Sequence, residues 1–476
     1  MAAESYLERE LKFDVPAGFA LPDLAGVSPL VDRVDHSEQH LRNEYFDTDD
    51  HALRAAQMTL RRRTGGEDAG WQLKVPHPPA REEIRLALDG PLVPEELTEL
   101  LLGVRRGQPV RPVALLETDR SVTRLLDADG HTLAEVADDS VRAAVPGATA
   151  NVSSWREIEV ELGTGDEQLL DQLAGLLRRH GAEPSASSSK LARALGDAER
   201  PEPAGPLAGY LVEQERALLA GDLALRRGDD SAVHKTRVGS RRFRSTLRIF
   251  GELLDPSAGQ RLDEELRWYA GLLGEVRDRQ VQRATLLAMV DELADTEVLG
   301  PVRARIEQTL NGEQAEHWAE LQQALSGDRY LRLLDAVHEF VRTAPPDVPV
   351  RRLKKLMRKA ERKVTKRLAR AGRRGEPELL HRARKAAKRA RYAGELVQPT
   401  GSGKAAEQAA RNESLQDLLG DHQDSLVGLA LLRRLGSAAG TTPGENGFTF
   451  GVLYQRRLQR AAELHEQAAR LARKRS

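Results

Sequence analysis

Glu157-Ile158-Glu159-Val160-Glu161 and, near the start, Glu8-Arg9-Glu10-Leu11-Lys12 place charged side chains at every second position. In an extended strand residues i, i+2 and i+4 point to one face. Glu8, Glu10 and Lys12 then share a face, as do Glu157, Glu159 and Glu161. The opposite faces carry Leu7, Leu11 and Phe13 in one case and Ile158, Val160 and Leu162 in the other. Such apolar faces have to be covered by helices or a second sheet. The carboxylates look either into water or at one another across an enclosed polar space. Carboxylates gathered in one enclosure repel unless cations neutralise them, which implies a metal site.

The chain has 476 residues, enough for two or three domains. Its formal net charge of -1 hides an asymmetry. Residues 1–200 hold 23 Lys and Arg against 36 Asp and Glu, and the remainder holds 49 against 37. Two electrostatically different halves are expected to have different charged partners. There is no cysteine, which excludes disulfides, thiolate metal sites and cysteine nucleophiles. No basic stretch followed by an apolar run opens the chain, and no segment approaches roughly 18 consecutive apolar residues. A cytoplasmic protein with no membrane span is the default expectation.

Residues 4–196 read as strand-rich, with alternating runs at 6–13, 58–63, 71–75, 83–88, 115–125, 132–136 and 155–162. Helical patterns intervene at 95–102 and 167–180. The polar, proline-rich stretch 197–206 is the expected linker. Residues 207–476 read as almost wholly helical, with apolar spacing such as Leu353, Met357, Ala360, Val364, Leu368 and Ala371. That half repeats itself. His234-Lys235-Thr236-Arg237 with Arg241-Arg242-Phe243-Arg244 returns, 147 residues on, as His381-Arg382-Ala383-Arg384 with Lys388-Arg389-Ala390-Arg391. Leu272-Leu273-Gly274 with Asp278 returns, 146 residues on, as Leu418-Leu419-Gly420 with Asp424. One long period predicts a duplicated helical unit instead of a solenoid.

In the acidic half, Arg61 and Arg63 share a strand face, and Gln72 and Lys74 another. Arg120, Asp138 and Lys190 are further candidates. Taken singly, an alternating charged strand is most often a solvated face. Acids and bases together on the non-apolar faces suit a metal-bound polyanion such as a triphosphate, since Mg²⁺ and Mn²⁺ prefer carboxylate oxygens and arginine grips phosphate bidentately. The set resembles the CYTH, or triphosphate tunnel metalloenzyme, family. Glu8-Arg9-Glu10-Leu11-Lys12 is similar to its ExExK motif. Tyr45-Phe46-Asp47-Thr48, Leu60–Arg63, Gln72-Leu73-Lys74, Arg81-Glu82-Glu83, Arg120, Asp138, Glu157–Glu161 and Ser189-Lys190 follow in the family's order over residues 4–196. The resemblance implies an eight-stranded antiparallel tunnel with outer helices and a metal-dependent hydrolase or cyclase acting on triphosphates. It implies that Glu8, Glu10, Glu157, Glu159 and Glu161 hold Mg²⁺ or Mn²⁺, with Glu8, Glu10, Lys12 and Glu159 catalytic. Lys12, Arg61, Arg63, Lys74, Arg120 and Lys190 would grip the substrate, with Glu83 and Asp138 supporting. Trp71 and Trp155, the only tryptophans in this half, are expected to serve packing more than base stacking.

In the basic half, Arg237, Arg241, Arg244 and Arg248 form one helical stripe, which Arg384, Lys388 and Arg391 repeat. Residues 351–391 hold 19 Lys and Arg and three acids, and so dense a surface repels itself unless anions screen it. This half resembles the CHAD family over 207–476, through His234–Val238, His381–Lys385 and Arg391–Glu395. The resemblance implies two helical bundles of pseudo-twofold symmetry and a basic groove for inorganic polyphosphate. Its residues would be His234, Lys235, Arg237, Arg241, Arg242, Arg244, Arg248, His381, Arg382, Arg384, Lys385, Lys388, Arg389 and Arg391. Arg277 stands against Gln423, a departure from strict symmetry. Nucleic acid is the rival partner, disfavoured because aromatic residues are only 4% of the chain and no stacking platform accompanies the stripe.

The combined expectation is an α+β tunnel domain followed by an all-α domain, in a cytoplasmic protein associated with polyphosphate granules. It would hydrolyse inorganic triphosphate with Mg²⁺ or Mn²⁺ and bind inorganic polyphosphate. The alternatives are a non-catalytic polyphosphate scaffold and a tunnel enzyme acting on nucleoside triphosphates, adenylate cyclase included.

Overall fold

The structure is a computed structural model describing residues 4–77, 80–88, 90–147, 151–187, 189–196, 205–374 and 376–474. It divides into two compact units, Met1–Pro201 and Glu202–Ser476. The division falls within the expected linker, of which 197–204 lie outside the described residues.

The first unit runs β1 (Glu4–Glu8), β2 (Glu10–Asp14), β3 (Arg33–Asp47), α1 (Ala52–Ala55), β4 (Thr59–Thr64), β5 (Gly70–His77), β6 (Ala80–Leu86), α2 (Glu95–Leu100), β7 (Arg111–Leu126), β8 (Thr132–Val145), β9 (Asn151–Leu162), α3 (Glu167–Arg179), β10 (Glu183–Pro184) and α4 (Lys190–Ala194). All pairings are antiparallel, in the order β1-β6-β5-β4-β3-β7-β8-β9-β2-β10. The sheet therefore has ten strands, not the expected eight. Two of the ten are halves of one segment split at Arg9, and another is the two-residue β10. The split segment joins the sheet's ends: β1 pairs with β6, and β2 pairs with β9. A sheet whose far strands share one continuous segment has to curl back on itself and enclose a face.

Alternation decides what lies on each face. Ile158, Val160, Val136 and Phe13 point outward and are sealed by Leu169, Leu173 and Leu177 of α3. Asp166 starts that helix by accepting from the Leu169 amide. At one end of the enclosed face, Leu191 and Ala194 of α4 pack with Tyr45, Leu116, Val141 and Ala143. Trp71 is fully buried against Phe46, ring centroids 5.0 Å apart, and is a core residue.

The second unit comprises α5 (Pro206–Arg226), α6 (Ala232–Phe250), α7 (Pro256–Asp291), α8 (Val302–Leu325), α9 (Asp328–Arg342), α10 (Val350–Arg374), α11 (Pro377–Val397), α12 (Gly403–Ala439) and α13 (Phe448–Lys474). No helix among the described residues is long and apolar enough to cross a membrane. Leu353, Met357, Val364, Leu368 and Ala371 are buried along α10, as their spacing predicts. Gly436 does not end α12, which continues to Ala439. One core runs through α5, α6, α7 and α9 into the start of α10 and the end of α11, and a second lies among α10, α11, α12 and α13.

The repeat's second element now has a physical reason. A Cβ on Gly274 would lie 3.2 Å from the Arg237 guanidinium, and one on Gly420 would lie 2.9 Å from that of Arg384. Each glycine leaves a notch for the arginine of its own copy. The paired aspartate then receives it: Arg237 donates to Asp278 at 2.9 Å, and Arg384 faces Asp424 at 3.9 Å.

Close helix approach makes a stability test. A Cβ on Gly221 of α5 would lie 2.0 Å from buried Thr236 Oγ1 of α6. Gly221→Ala is expected to destabilise the protein by about 1–3 kcal/mol. Gly271 of α7 has nothing within 4 Å of such an atom, so Gly271→Ala is expected to be neutral or stabilising by up to about 1 kcal/mol. Urea unfolding of the two variants side by side checks the contrast.

Candidate phosphate-binding cavity and basic groove

The curled sheet encloses a cavity of about 380 Å³ lined by Glu10, Lys12, Arg61, Arg63, Lys74, Glu83, Arg120, Glu159, Glu161 and Lys190 among others. The sequence reading had named every one of these, Glu83 through the family resemblance alone. Register sets them in rows. Across β8, β9 and β2 the opposed residues are Glu135, Glu161 and Glu10; then Ala137, Glu159 and Lys12; then Asp139, Glu157 and Asp14. The first row is all carboxylate, and like charges directly opposite destabilise a sheet unless a cation lies among them.

The second and third rows carry their own cations. Lys12 Nζ is bonded to Glu159 and lies 3.4 Å from Glu10. Lys190 Nζ lies 2.7 Å from Glu159 and 2.8 Å from both Asp139 and Glu157. Arg120 donates from Nε and Nη2 to the two Asp139 oxygens at 2.7 Å each, and from Nη2 to Glu159 at 2.9 Å. Burial works against the Glu159 carboxylate, yet Lys12, Lys190 and Arg120 hold it well below the usual range. Burial likewise works against Lys190, but Asp139, Glu159 and Glu157 raise it above the usual lysine range. The carboxylates of Asp139, Glu157 and Glu159 lie within 4.8 Å of one another, close enough to chelate an ion. Lys190 lies among that trio, and cations also reach the first row: Lys12 is 3.4 Å from Glu10, and Arg124 Nε donates to Glu135 at 3.0 Å.

On the opposite wall, fully buried Glu83 gathers cations: Lys74 Nζ at 3.1 Å, Arg85 Nε at 2.5 Å and Arg61 Nη2 at 3.8 Å. Arg61 also donates to Gln72 at 2.6 Å and to Tyr45 Oη at 3.4 Å. Arg63 donates to Asn43 at 2.8 Å and pairs with Asp68. Burial and neighbouring Arg61 push Arg63 down to about 10.

The second unit holds a concavity of about 430 Å³ lined by Arg241, Arg244, Ser245, Arg248, Arg267, Lys385, Lys388 and Arg389. These come mainly from α6 and α11, the two copies of the basic motif. Not every predicted cation is equally available. Arg242 and Arg391 bond to Glu395, at 3.0 and 2.9 Å. Arg244 and Arg248 bond to Asp263, at 3.1 and 2.6 Å. Arg382 bonds to Glu378 at 3.1 Å. Lys235 is exposed beside them. Burial, then Arg241, Arg384 and Arg237, drive the Lys388 ammonium down to about 6, and burial and Arg237 push Arg241 to about 10. His234 and His381 are lowered first by burial and then by the neighbouring Arg277 and Lys385, which favours their neutral forms.

A model of the CYTH domain matches residues 7–195, and one of the CHAD domain matches residues 209–433. Uncharacterised proteins from two strains of Mycobacterium tuberculosis are 38% identical over 508 residues, covering 98% of this chain and 96% of theirs. The chain belongs to the CYTH–CHAD family. Among solved structures, PptA from Streptomyces chartreusis is 22% identical with a TM-score of 0.47, over 56% of this chain and 98% of that one. The CHAD domain from the plant Ricinus communis is 25% identical with a TM-score of 0.45, over 57% of this chain and 92% of that one.

Within the CYTH domain one placement differs from the sequence reading. Asp138 does not face the cavity; it takes both Arg156 donors, at 2.8 and 2.6 Å. Its neighbour Asp139 meets Arg120 and Lys190 instead. Glu157 shares the face of Glu159 and is buried at 3% exposure, held by Lys190 and by Trp155 Nε1 at 2.5 Å. Glu8 ends β1 with its backbone opposite Arg81, and its side chain lies outside the described residues. Sequence reasoning missed Glu135 and Asp139, although Glu135, Ala137 and Asp139 stand at i, i+2 and i+4 of one strand.

Removing Lys190 leaves Asp139, Glu157 and Glu159 short of positive charge. Lys190→Met is expected to destabilise the protein by about 3–5 kcal/mol at pH 7. The folded pKa values of Asp139 and Glu159 are depressed, so the stability they contribute is present above the ordinary carboxylate range and lost as pH falls through the folded values. The gap between the parent and Lys190→Met is therefore expected to narrow below about pH 4. Urea unfolding at pH 7 and near pH 3 measures it.

Proposed function

We propose that the CYTH domain is a metal-dependent triphosphatase acting on inorganic triphosphate and that the CHAD domain binds inorganic polyphosphate through two matched helical bundles. The observation that carries the first half is the lining of the cavity. It combines Lys12, Arg61, Lys74, Arg120 and Lys190 with a carboxylate row, and offers one aromatic ring, Tyr45, and one large apolar side chain, Leu162. Such a lining recognises phosphate oxygens and gives an organic group little to stack on. Trp155 does not supply the missing platform, being held by Glu157 and by Arg193, whose guanidinium lies 5.0 Å from its ring. This favours triphosphate over the nucleotide reading.

The residues fit a hard divalent cation, Mg²⁺ or Mn²⁺. Glu10, Glu161, Glu135 and Glu159 would hold it, with Glu8 joining on its sequence position. When bound, such an ion supplies charge neutralisation and an acidified water. The chain's own part is positioning. Glu83 aims Lys74 and Arg61, and Asp139 aims Arg120 and Lys190, so the phosphate ligands are held before substrate arrives. The groove fits a longer polymer of the same group, because Arg241 and Lys388 sit half-buried among like charges with no carboxylate of the described residues bonded to either. Residence in the cytoplasm with polyphosphate granules follows from this reading.

The intact protein is expected to release phosphate from inorganic triphosphate with Mg²⁺ or Mn²⁺, and Glu8→Gln or Glu159→Gln to reduce kcat by about 100-fold or more. No turnover of triphosphate or of any nucleoside triphosphate with either metal would leave the non-catalytic polyphosphate scaffold as the reading. For the groove, Lys388 near 6 is mostly neutral at pH 7.5 in the free protein, and a bound anion favours its charged form. Polyphosphate binding is therefore expected to take up a proton and to tighten as pH falls from 8 to 6. Calorimetry in buffers of different ionisation enthalpy reads the uptake, and Lys388→Gln should remove it. Equal, pH-independent affinity for polyphosphate and DNA of equal charge would reduce the groove to a general basic surface.

A further inference from the structure

The β4–β5 turn places two carboxylates against two of the cavity's own cations. Asp68 pairs with Arg63, and Gln72 Nε2 donates to Asp68 Oδ2 at 3.2 Å. Glu67 Oε2 lies 3.1 Å from Nη2 of Arg124, whose Nε donates to Glu135 at 3.0 Å. All of these but Gln72 line the same cavity as the phosphate ligands. The turn is pressed inward by two glycines at positive φ, Gly65 at 80° and Gly66 at 79°. A Cβ on Gly65 would lie 2.0 Å from the His40 carbonyl oxygen, and one on Gly66 would lie 2.7 Å from the Leu41 side chain. The turn thus lies directly on β3 instead of standing clear of the cavity's end. Arg63 is 5% exposed, and Asn43 and Asp68 already receive its donors.

We propose that Glu67 and Asp68 are specificity determinants that occupy Arg63 and Arg124 as phosphates would, limiting the cavity to a short linear oligophosphate. Lys12, Arg61, Lys74, Arg120 and Lys190, each positioned by a carboxylate of the wall, bind the substrate away from the turn, whereas a fourth or fifth phosphate extending toward the turn meets Glu67 and Asp68. Arg63, which the family resemblance assigns to the substrate, is thereby assigned to this seal. The inference rests on the triphosphate reading of the cavity and adds the length limit and the residues that set it.

The test uses the full chain and linear phosphates of two to six units, comparing the parent, Asp68→Asn and Asp68→Asn with Glu67→Gln. In the parent, kcat/KM should rise from pyrophosphate to triphosphate and then level off. Freeing a guanidinium for a charge-assisted phosphate contact should raise kcat/KM for the penta- and hexaphosphates by about tenfold or more relative to triphosphate, mainly through KM. Adding Arg63→Gln should cancel that gain. A uniform change across all lengths would assign the turn to folding alone and overturn the proposal, as would a parent profile still rising at six phosphates. Calorimetric binding of the same series, read as the difference between variant and parent, tests the seal even when nothing is hydrolysed. An absence of hydrolysis sinks the catalytic reading, whereas a length-independent binding difference sinks the seal.

Discussion

Buried charge balance is the constraint on which the first domain depends. Alternation places acids and bases on the concave side of a curled sheet, where neither can be left alone at low dielectric. Lys190 answers it by bringing one ammonium within 2.8 Å of three carboxylates on two strands. The ammonium arrives on α4, whose first turn is set by Ser189 accepting the Ala192 amide. The same helix buries Leu191 and Ala194 in the apolar layer that caps the cavity. Fold and site are thus joined at one short helix: displace α4, and the cap and the neutralising charge leave together.

The interior was largely legible because period-two patterning is a local property. Glu10, Lys12, Arg61, Lys74, Glu159 and Glu161 each sit beside an apolar neighbour that identifies the other face, and Arg63 follows Arg61 at i+2. The 15-residue β3 was not legible for the same reason. Its first half carries Asp35, Ser37, Glu38, Gln39 and His40 on both faces, since its outer side meets solvent and its inner side meets a polar cavity. Adjacent Asp138 and Asp139 show the limit sharply. Both lie in one strand, and a shift of one residue exchanges inside for outside. Only the pairing of Arg120 with Asp139 across β7 and β8 decides between them. Nor does local pattern reveal that Arg63 is already taken, because Asp68 reaches it by a turn whose path two glycines set.

In the helical half the duplication was visible, but its consequences for charge were not. Arg244, Arg248 and Arg391 belong to the stripe by sequence and Arg242 adjoins it, yet Asp263 and Glu395 draw their charge into ion pairs. What distinguishes Arg241 and Lys388 is the absence of such a carboxylate among the described residues, which no count of basic residues can show. The notches at Gly274 and Gly420 explain why the motif has two parts about forty residues apart: one part supplies the guanidinium and the other the space and the acid.

The break at Arg9 has a consequence for how the first domain is made. Residues 4–14 are the first segment of the sheet to be synthesised, yet β2 cannot pair with β9 until the chain has grown far beyond it. Lys12 and its partner Glu159 are 147 residues apart. The ring is therefore opened and closed at its oldest part, and closure has to be among the last and least local events of folding. Until then the growing domain presents an unpaired strand edge and a set of uncompensated carboxylates, the condition under which a nascent sheet is most prone to join the wrong neighbour.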